Sequence, residues 1–389
     1  MKTEILTPLP ELTEQQAGHC AKAREALGQM ERALGPIYFD RYMDFVLYDA
    51  RLGYYQIAAE TIGPAGDFVT LPESTPLFAR TLASVAADLF RAGLSRNLIE
   101  VGPGTGRLSL AMSRELLRLG CVPDRHLLLE PNLFQRGRQE ALWAQKAIPG
   151  IPLPEWLDQL PVEGWSGFLV LNEIVDAWPV ALMEKAASGW FEWGVGVTDG
   201  ALSWRRLPLR SPTREMLETL ESECGTLPVP YRTEWNRSLG VRLRAILTGC
   251  REGCAMVIDY GYPKRLYYHP ERCRGTLACY LDHRTHADPL YAPGAQDITA
   301  MVDFTALAEA MEGVGWTLAG FARLAPFVLV AGAWEEADLD GHTRQQWIQD
   351  VLRLTGPEEA GELFRVMMCT KGQVPLWPGW TQCDESDRL

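Results

Sequence analysis

Hydrophobic positions recur at helical spacing in the first part of the chain and change to short, wholly apolar runs from Asn97 onward. Thr13 with Gln16 reads as a capping box, in which side chain and backbone cap each other, so a helix is predicted from there to about Leu34. Gly35-Pro36 stops it. A second helix carries Phe39, Tyr42, Met43, Val46 and Leu47 on one face, the pattern of an amphipathic helix. Residues 53–76 are rich in Gly and Pro and read as an ordered loop.

Asn97–Val101, His126–Leu129, Phe168–Leu171 and Ala255–Ile258 are predicted strands, with a helix over Leu108–Leu119. The last three strands run into Glu130, Asn172-Glu173 and Asp259. A late pair, near Thr317–Leu324 and Phe327–Ala331, is expected to close the sheet as an antiparallel hairpin. Wholly apolar strands between helices imply an α/β fold with a mostly parallel sheet covered on both faces. Residues 181–250 break this alternation. There Trp190–Val197 and Ala201–Leu207 flank Thr198-Asp199-Gly200, a hairpin signal.

Length and charge narrow the function. The chain has 389 residues, enough for two domains or for one with an inserted lobe. No apolar run approaches the roughly 18–20 residues of a membrane span. Asp plus Glu outnumber Lys plus Arg by 50 to 37, a net charge of −13. That sign repels phosphate backbones, which argues against nucleic acid as a partner and for a basic partner or a small ligand. The nine cysteines are irregularly spaced without a CxxC pair, so they read as reduced, buried thiols and not as a metal site. With no hydrophobic signal core and an acidic beginning, the expected compartment is a reducing cytoplasm.

The strongest chemical motif is Glu100-Val101-Gly102-Pro103-Gly104-Thr105-Gly106, between a predicted strand and a predicted helix. Glycines there let the backbone turn sharply and approach a ligand, at the place where open α/β sheets bind nucleotide-like molecules. A dinucleotide fingerprint would need a third glycine at Arg107, and Glu100 would repel a pyrophosphate. The cationic methionine end of S-adenosyl-L-methionine suits that carboxylate better. Glu130, at the next strand end, can accept both ribose hydroxyls, a feature that fits NAD equally. Asn172-Glu173-Ile174-Val175-Asp176 opens at another strand end, where either Asn172 caps a short helix and Glu173 favours its dipole, or Glu173 with Asp176 faces the transferred methyl and binds a cationic nucleophile. A third cluster holds Arg274-Gly275-Thr276-Leu277, His283, Arg284, His286 and Gly294-Ala295-Gln296-Asp297-Ile298-Thr299, which read as polar packing, as a site where His283 does acid–base work, or as a metal pair of histidines three apart that matches no metal signature.

On these residues the chain resembles the MidA-like class I methyltransferases, whose members include a mitochondrial complex I assembly factor that methylates a protein arginine. The matching blocks are YMDFVLYDARLGYY (42–55), GDFVTLPE (66–73), EVGPGTGRL (100–108), NEIVDAWPV (172–180), VIDYGYP (257–263), RGTL (274–277), GAQDITAMVDF (294–304) and GELFRVMMCTKG (361–372). The resemblance implies a Rossmann-like methyltransferase core with an N-terminal helical lobe and an inserted hairpin-plus-helix lobe. It divides the chain into a helical lobe with active-site loop (1–95), the first part of the core (96–180), a substrate lobe (181–250) and the rest of the core (251–389). It implies that Gly102, Gly104 and Gly106 wrap S-adenosyl-L-methionine, that Glu130 holds its ribose, and that Gly66 and Asp67 cover the site beside Thr70, Pro72 and Glu73. Asn172 and Glu173 would face the substrate. The chain departs from the family at Leu71, Met301 and Ala278, where a hydroxyl, a histidine and a basic or polar residue are usual. The implied activity is methyl transfer to a protein arginine, with Glu173 holding the guanidinium and Asp67 or Asp176 helping. The implied partner is the quinone-side core subunit of respiratory complex I. Another acceptor, or a cofactor-binding assembly factor without transfer, is the alternative.

Overall fold

The computed structural model describes residues 9–57, 71–146, 148–332, 344–356 and 360–389. Its central sheet is built from β1 (Asn97–Val101), β2 (Arg125–Leu129), β3 (Glu155–Leu157), β4 (Trp165–Asn172), β5 (Cys250–Tyr262), β6 (Thr317–Arg323) and β7 (Phe364–Lys371). The strand order is β6-β7-β5-β4-β1-β2-β3. Strands β5, β4, β1, β2 and β3 are mutually parallel, and β7 runs antiparallel to both β5 and β6. A short extra strand, Val302–Asp303, pairs with the end of β5.

The middle of each of β1, β2, β4 and β5 is apolar because both faces of the sheet are covered. Leu98, Phe168, Val170, Cys254, Met256 and Ile258 pack on one side, together with side chains of the helices Pro76–Arg91 and Arg107–Arg118. Their neighbours Ile99, Leu169, Leu171, Ala255 and Val257 pack on the other, with the helices Leu239–Leu247 and Phe304–Gly313. Between β1 and β4 the direction of strand succession reverses, which opens a crevice at their carboxyl ends.

The expected late hairpin is corrected. Thr317–Arg323 is a strand, but Leu324–Ala331 is a helix, and β6 pairs with β7 instead. Residues 324–331 form an apolar run, which carries no periodicity to separate helix from strand. The structural signal is Pro326 in the first helical turn, a position that proline tolerates. Phe327 is fully buried, 5.2 Å from the Trp377 ring and 5.6 Å from the Trp380 ring. Phe327→Ala is expected to cost about 3–5 kcal/mol of stability, read as a lower denaturant midpoint at unchanged slope.

The first helix, Glu14–Leu34, has both halves of its capping box, and Gly35 leaves it at φ +80°. Phe39–Tyr48 is helical with all five of its predicted face residues buried. A second sheet joins Ile37–Tyr38, Ala181–Ala186, Gly189–Thr198, Ala201–Leu207 and Tyr231–Trp235. Asp199 and Gly200 both have positive φ, as a two-residue hairpin turn requires. A third sheet, of Ala278–Leu281, Arg284–His286 and Asp297–Thr299, completes the described strands.

Candidate functional site

A cleft of about 380 Å³ opens at the carboxyl ends of β1, β2 and β4. The glycine loop after β1 forms one wall. Gly102, Gly104 and Gly106 have φ of +59°, +54° and +79°, in the left-handed region that disfavours a side chain. A Cβ on Gly102 would stand 2.5 Å from Cδ1 of Ile174. Gly102 and Gly104 border the cleft, whereas Gly106 caps the helix Arg107–Arg118 and packs on Gln139.

Two buried carboxylates face this wall. Glu100 accepts a hydrogen bond from the Ser109 hydroxyl, and burial pushes it up to about 8. Glu130 accepts from the Asn132 backbone N–H at 3.0 Å and from Nε2 of Gln139 at 3.2 Å, and burial raises it too. Gln139 also donates to the Gly104 carbonyl at 2.9 Å, while Nε1 of Trp156 donates to its Oε1 at 2.9 Å. One side chain thus fixes Glu130 relative to the glycine loop. No local motif announces Gln139 or Trp156, since their partners are distant in sequence.

The opposite wall is the end of β4. Asn172 and Glu173 both border the cleft. Glu173 has φ +51°, uncommon for a residue with a side chain. Its Oε1 accepts from Nδ2 of Asn172 at 3.1 Å and from the Leu71 N–H at 3.3 Å. Burial, and next the charge of Asp259, lift Glu173 to about 8. Asp176 is buried behind the wall, and burial with Asp259, Asp297 and Glu173 drives it well above the usual carboxylate range. Tyr48 and Tyr55 border the cleft with ring centres 5.5 Å apart, and the Tyr55 hydroxyl donates to Asp297 at 2.7 Å. Arg242 lies 5.0 Å from the centre of the Tyr48 ring.

Pro72 and Glu73 border the cleft from the short helix Leu71–Ser74. Glu73 accepts from the Thr105 hydroxyl and pairs with Arg107 at 2.9 Å. Gly66, Asp67 and Thr70 lie outside the described residues. Two departures from the family fall away from the cleft. Leu71 buries its side chain in the core and offers Glu173 only its backbone N–H. Met301 borders a separate cavity of about 20 Å³ beside Glu234 and Tyr267. His283 is exposed, is not among the described residues that border the cleft, and sits with Asp282 in a tight turn where both have positive φ. Among the described residues, no group of three or more His, Cys, Asp and Glu could hold a metal ion.

The raised carboxylates make stability depend on pH. Glu100 and Glu173 titrate near 8 when folded and near 4.3 when unfolded, so between these values the folded state holds more protons. Their contribution is complete below the unfolded value and is lost as pH rises through about 8. His126, lowered by burial to about 3, opposes this only below its unfolded value near 6.5. The ligand-free melting temperature is therefore expected to fall between pH 6.5 and 9, and Glu100→Gln to flatten that slope in a calorimetric scan.

Comparison with known proteins bears on this geometry. A family described as putative S-adenosyl-L-methionine-dependent methyltransferase matches residues 77–322. The mitochondrial protein arginine methyltransferase NDUFAF7 of Mus musculus is 29% identical over 310 residues, 72% of this chain and 68% of that protein. Its Homo sapiens counterpart is 27% identical over 367 residues, 86% and 80% of the two chains. A COG1565 superfamily member from Burkholderia thailandensis, solved with S-adenosyl-homocysteine bound, superposes with a TM-score of 0.91 at 35% identity, covering 98% of this chain and 100% of that one. The fold is thus that of a methyltransferase, and S-adenosyl-L-methionine is the cofactor. The expectation of a cytoplasmic protein is corrected, because these curated relatives are named as mitochondrial. Acidity near the start of the chain was a poor guide to compartment.

Proposed function

Because the chain belongs to this family of S-adenosyl-L-methionine-dependent methyltransferases, we propose that it methylates an arginine of a protein substrate. The observation that carries the acceptor's charge is the company kept by Glu173 and Asp176. Glu173 borders the cleft, accepts from two neutral donors, the Asn172 amide and the Leu71 N–H, and like Asp176 is buried near Asp259 and Asp297. A cationic side chain entering the cleft would favour the ionised form of Glu173. The relatives' names, protein arginine methyltransferase, support a guanidinium as that cation.

The residues fit the cofactor on their own terms. The loop at Gly102 and Gly104 leaves room for close backbone approach, and Gly106 starts the helix behind it. Glu130, held by Gln139 and the Asn132 amide, is aimed to accept ribose hydroxyls. Glu100 offers its carboxylate to the cationic methionine end, with Pro72 and Asn172 bordering the same space. Gly66 and Thr70 join this set on the resemblance alone.

When bound, S-adenosyl-L-methionine supplies an electrophilic methyl group on a sulfonium. The protein's work is then positioning and charge. Guanidinium is cationic at neutral pH and has no ready lone pair. Paired hydrogen bonds to Glu173 would hold its fork and concentrate positive charge near the carboxylate, freeing the far nitrogen to attack. One N–H proton has to leave the guanidinium as the N–CH3 bond replaces the S–CH3 bond, whose electron pair stays on the sulfur, and Glu173 would accept that proton in this reading. Asp176, buried behind the wall, and Asp67 are helpers by the same reading. The stretch 181–250 contributes Arg242 and Ile246 to the cleft wall, which supports its reading as the part that meets the substrate protein. The boundaries at 95, 180 and 250 belong to the same proposal. In a cell with a respiratory complex I, the quinone-side core subunit is the acceptor in this reading.

The test uses isotopically labelled methyl on S-adenosyl-L-methionine, the purified protein, and protein from cells lacking its gene. Label in arginine supports the proposal. Label in another side chain or a small molecule replaces the acceptor, and cofactor binding without any transfer leaves a non-catalytic assembly factor.

A further inference from the structure

Asp259 ends the apolar core of β5 with a carboxylate whose residue is wholly buried. It is not on the cleft wall. Its Oδ2 accepts the backbone N–H groups of Val175 at 2.9 Å and Asp176 at 3.2 Å, and its Oδ1 accepts that of Tyr260 at 2.9 Å. The first two donors lie two and three residues after Glu173, and Glu173 itself donates its N–H to the Ile258 carbonyl at 2.9 Å. The end of β4 is therefore tied to the end of β5 at three points within four residues, Glu173, Val175 and Asp176. Glu173 sits inside that tie with φ +51°. A left-handed conformation at a residue with a side chain costs free energy and persists only where its surroundings impose it. No glycine relieves it here, so the tie has to hold it.

The geometry points to Asp259 as a positioning residue, whose carboxylate clamps the turn after β4 and thereby aims Glu173 into the cleft. This rests on the reading of Glu173 as the carboxylate that holds the substrate cation. Buried backbone donors need an acceptor in any fold, and that alone would explain one such bond. Two consecutive N–H groups from a neighbouring strand's turn, gathered on one oxygen beside a strained site residue, go further. An ordinary packing residue at 259 would leave those donors unpaired at the place where the orientation of Glu173 is decided.

The test compares Asp259→Ala, Asp259→Asn and the double variant Glu173→Gln/Asp259→Ala in the full chain. Three quantities are read: S-adenosyl-homocysteine affinity by calorimetry, exchange of the Val175 and Asp176 amides, and labelled methyl transfer to protein arginine. In Asp259→Ala, affinity for S-adenosyl-homocysteine is expected to stay within a few-fold, both amides to exchange on the order of 100-fold faster, and transfer to fall on the order of 100-fold. Asparagine keeps an oxygen for both N–H groups and is expected to restore transfer to within about ten-fold of the wild type. A residue acting through Glu173 adds little in the double variant, because the effects of coupled groups do not sum.

Additive losses, or Asp259→Ala with wild-type transfer and protected amides, would overturn the assignment. Asparagine as damaging as alanine would do the same, since it would make the charge and not the clamp the active feature. If Glu173→Gln alone leaves transfer unchanged, the reading of Glu173 fails first. If the wild type shows no transfer at all, methyl transfer fails, and amide exchange still decides whether Asp259 is the clamp.

Discussion

Glutamine in place of Glu173 is expected to leave S-adenosyl-homocysteine binding intact and to lower methyl transfer by roughly 30- to 150-fold. The change keeps the shape of the side chain and one acceptor oxygen, so the Leu71 N–H can keep its partner. What it removes is the charge, and with it one of the two acceptors for a guanidinium fork. The replacement amide would point a donor at a donor. Loss of one directed electrostatic contact in a buried site typically costs about 2–3 kcal/mol of transition-state stabilisation. Single-turnover rates with protein substrate, set beside calorimetric affinity for S-adenosyl-homocysteine, separate this outcome from a general loss of structure. Wild-type turnover in the variant would remove Glu173 from the mechanism.

The second large effect belongs to the opposite wall. Gly104→Val is expected to weaken S-adenosyl-homocysteine binding by at least about 100-fold, equivalent to about 2.7 kcal/mol. Gly104 has φ +54°, borders the cleft, and has its carbonyl held by Gln139. An ordinary L-residue in that conformation costs roughly 1–2 kcal/mol, before the branched side chain enters the ligand's space. The strain can be relieved only by moving the loop, which would take the Gly104 carbonyl away from Gln139 and loosen Glu130. The measurement is the rise in melting temperature on adding S-adenosyl-homocysteine. The wild type should show it, and the valine variant should not. A preserved shift would mean that the ligand does not rest against this loop.

What could be read from the amino-acid order was whatever local chemistry decides. The capping box at Thr13 and Gln16, the Asp199-Gly200 turn and the glycine loop each depend on residues a few positions apart, and each has the expected conformation. The apolar runs in β1, β2, β4 and β5 were equally legible, because a strand covered on both faces has to be apolar there, whereas the short β3, which begins with Glu155, shows no such run. The helix Leu324–Ala331 was not, since an apolar run leaves its period undefined and only β7 takes the strand position beside β6. The supporting shell of the cleft stayed hidden for another reason. Gln139 meets Gly104 across 35 positions, and Asp259 meets Val175 across 84, so neither pairing leaves a mark at its own place in the chain.

The place of β7 has a consequence for the newborn chain. It sits between β5 and β6, yet it is made after both. From the completion of β5 until β7 emerges, a ribosome adds roughly a hundred residues, on the order of 5–20 s of synthesis. Throughout that interval β5 has a partner on one side only, and its other edge shows a row of free backbone groups flanked by Ala255, Met256, Val257 and Ile258. Such an edge invites pairing with another chain. Holding it apart until β7 arrives is a task for chaperones at the tunnel exit, and a chain that stops short of Phe364 would reach the cell with its sheet still open.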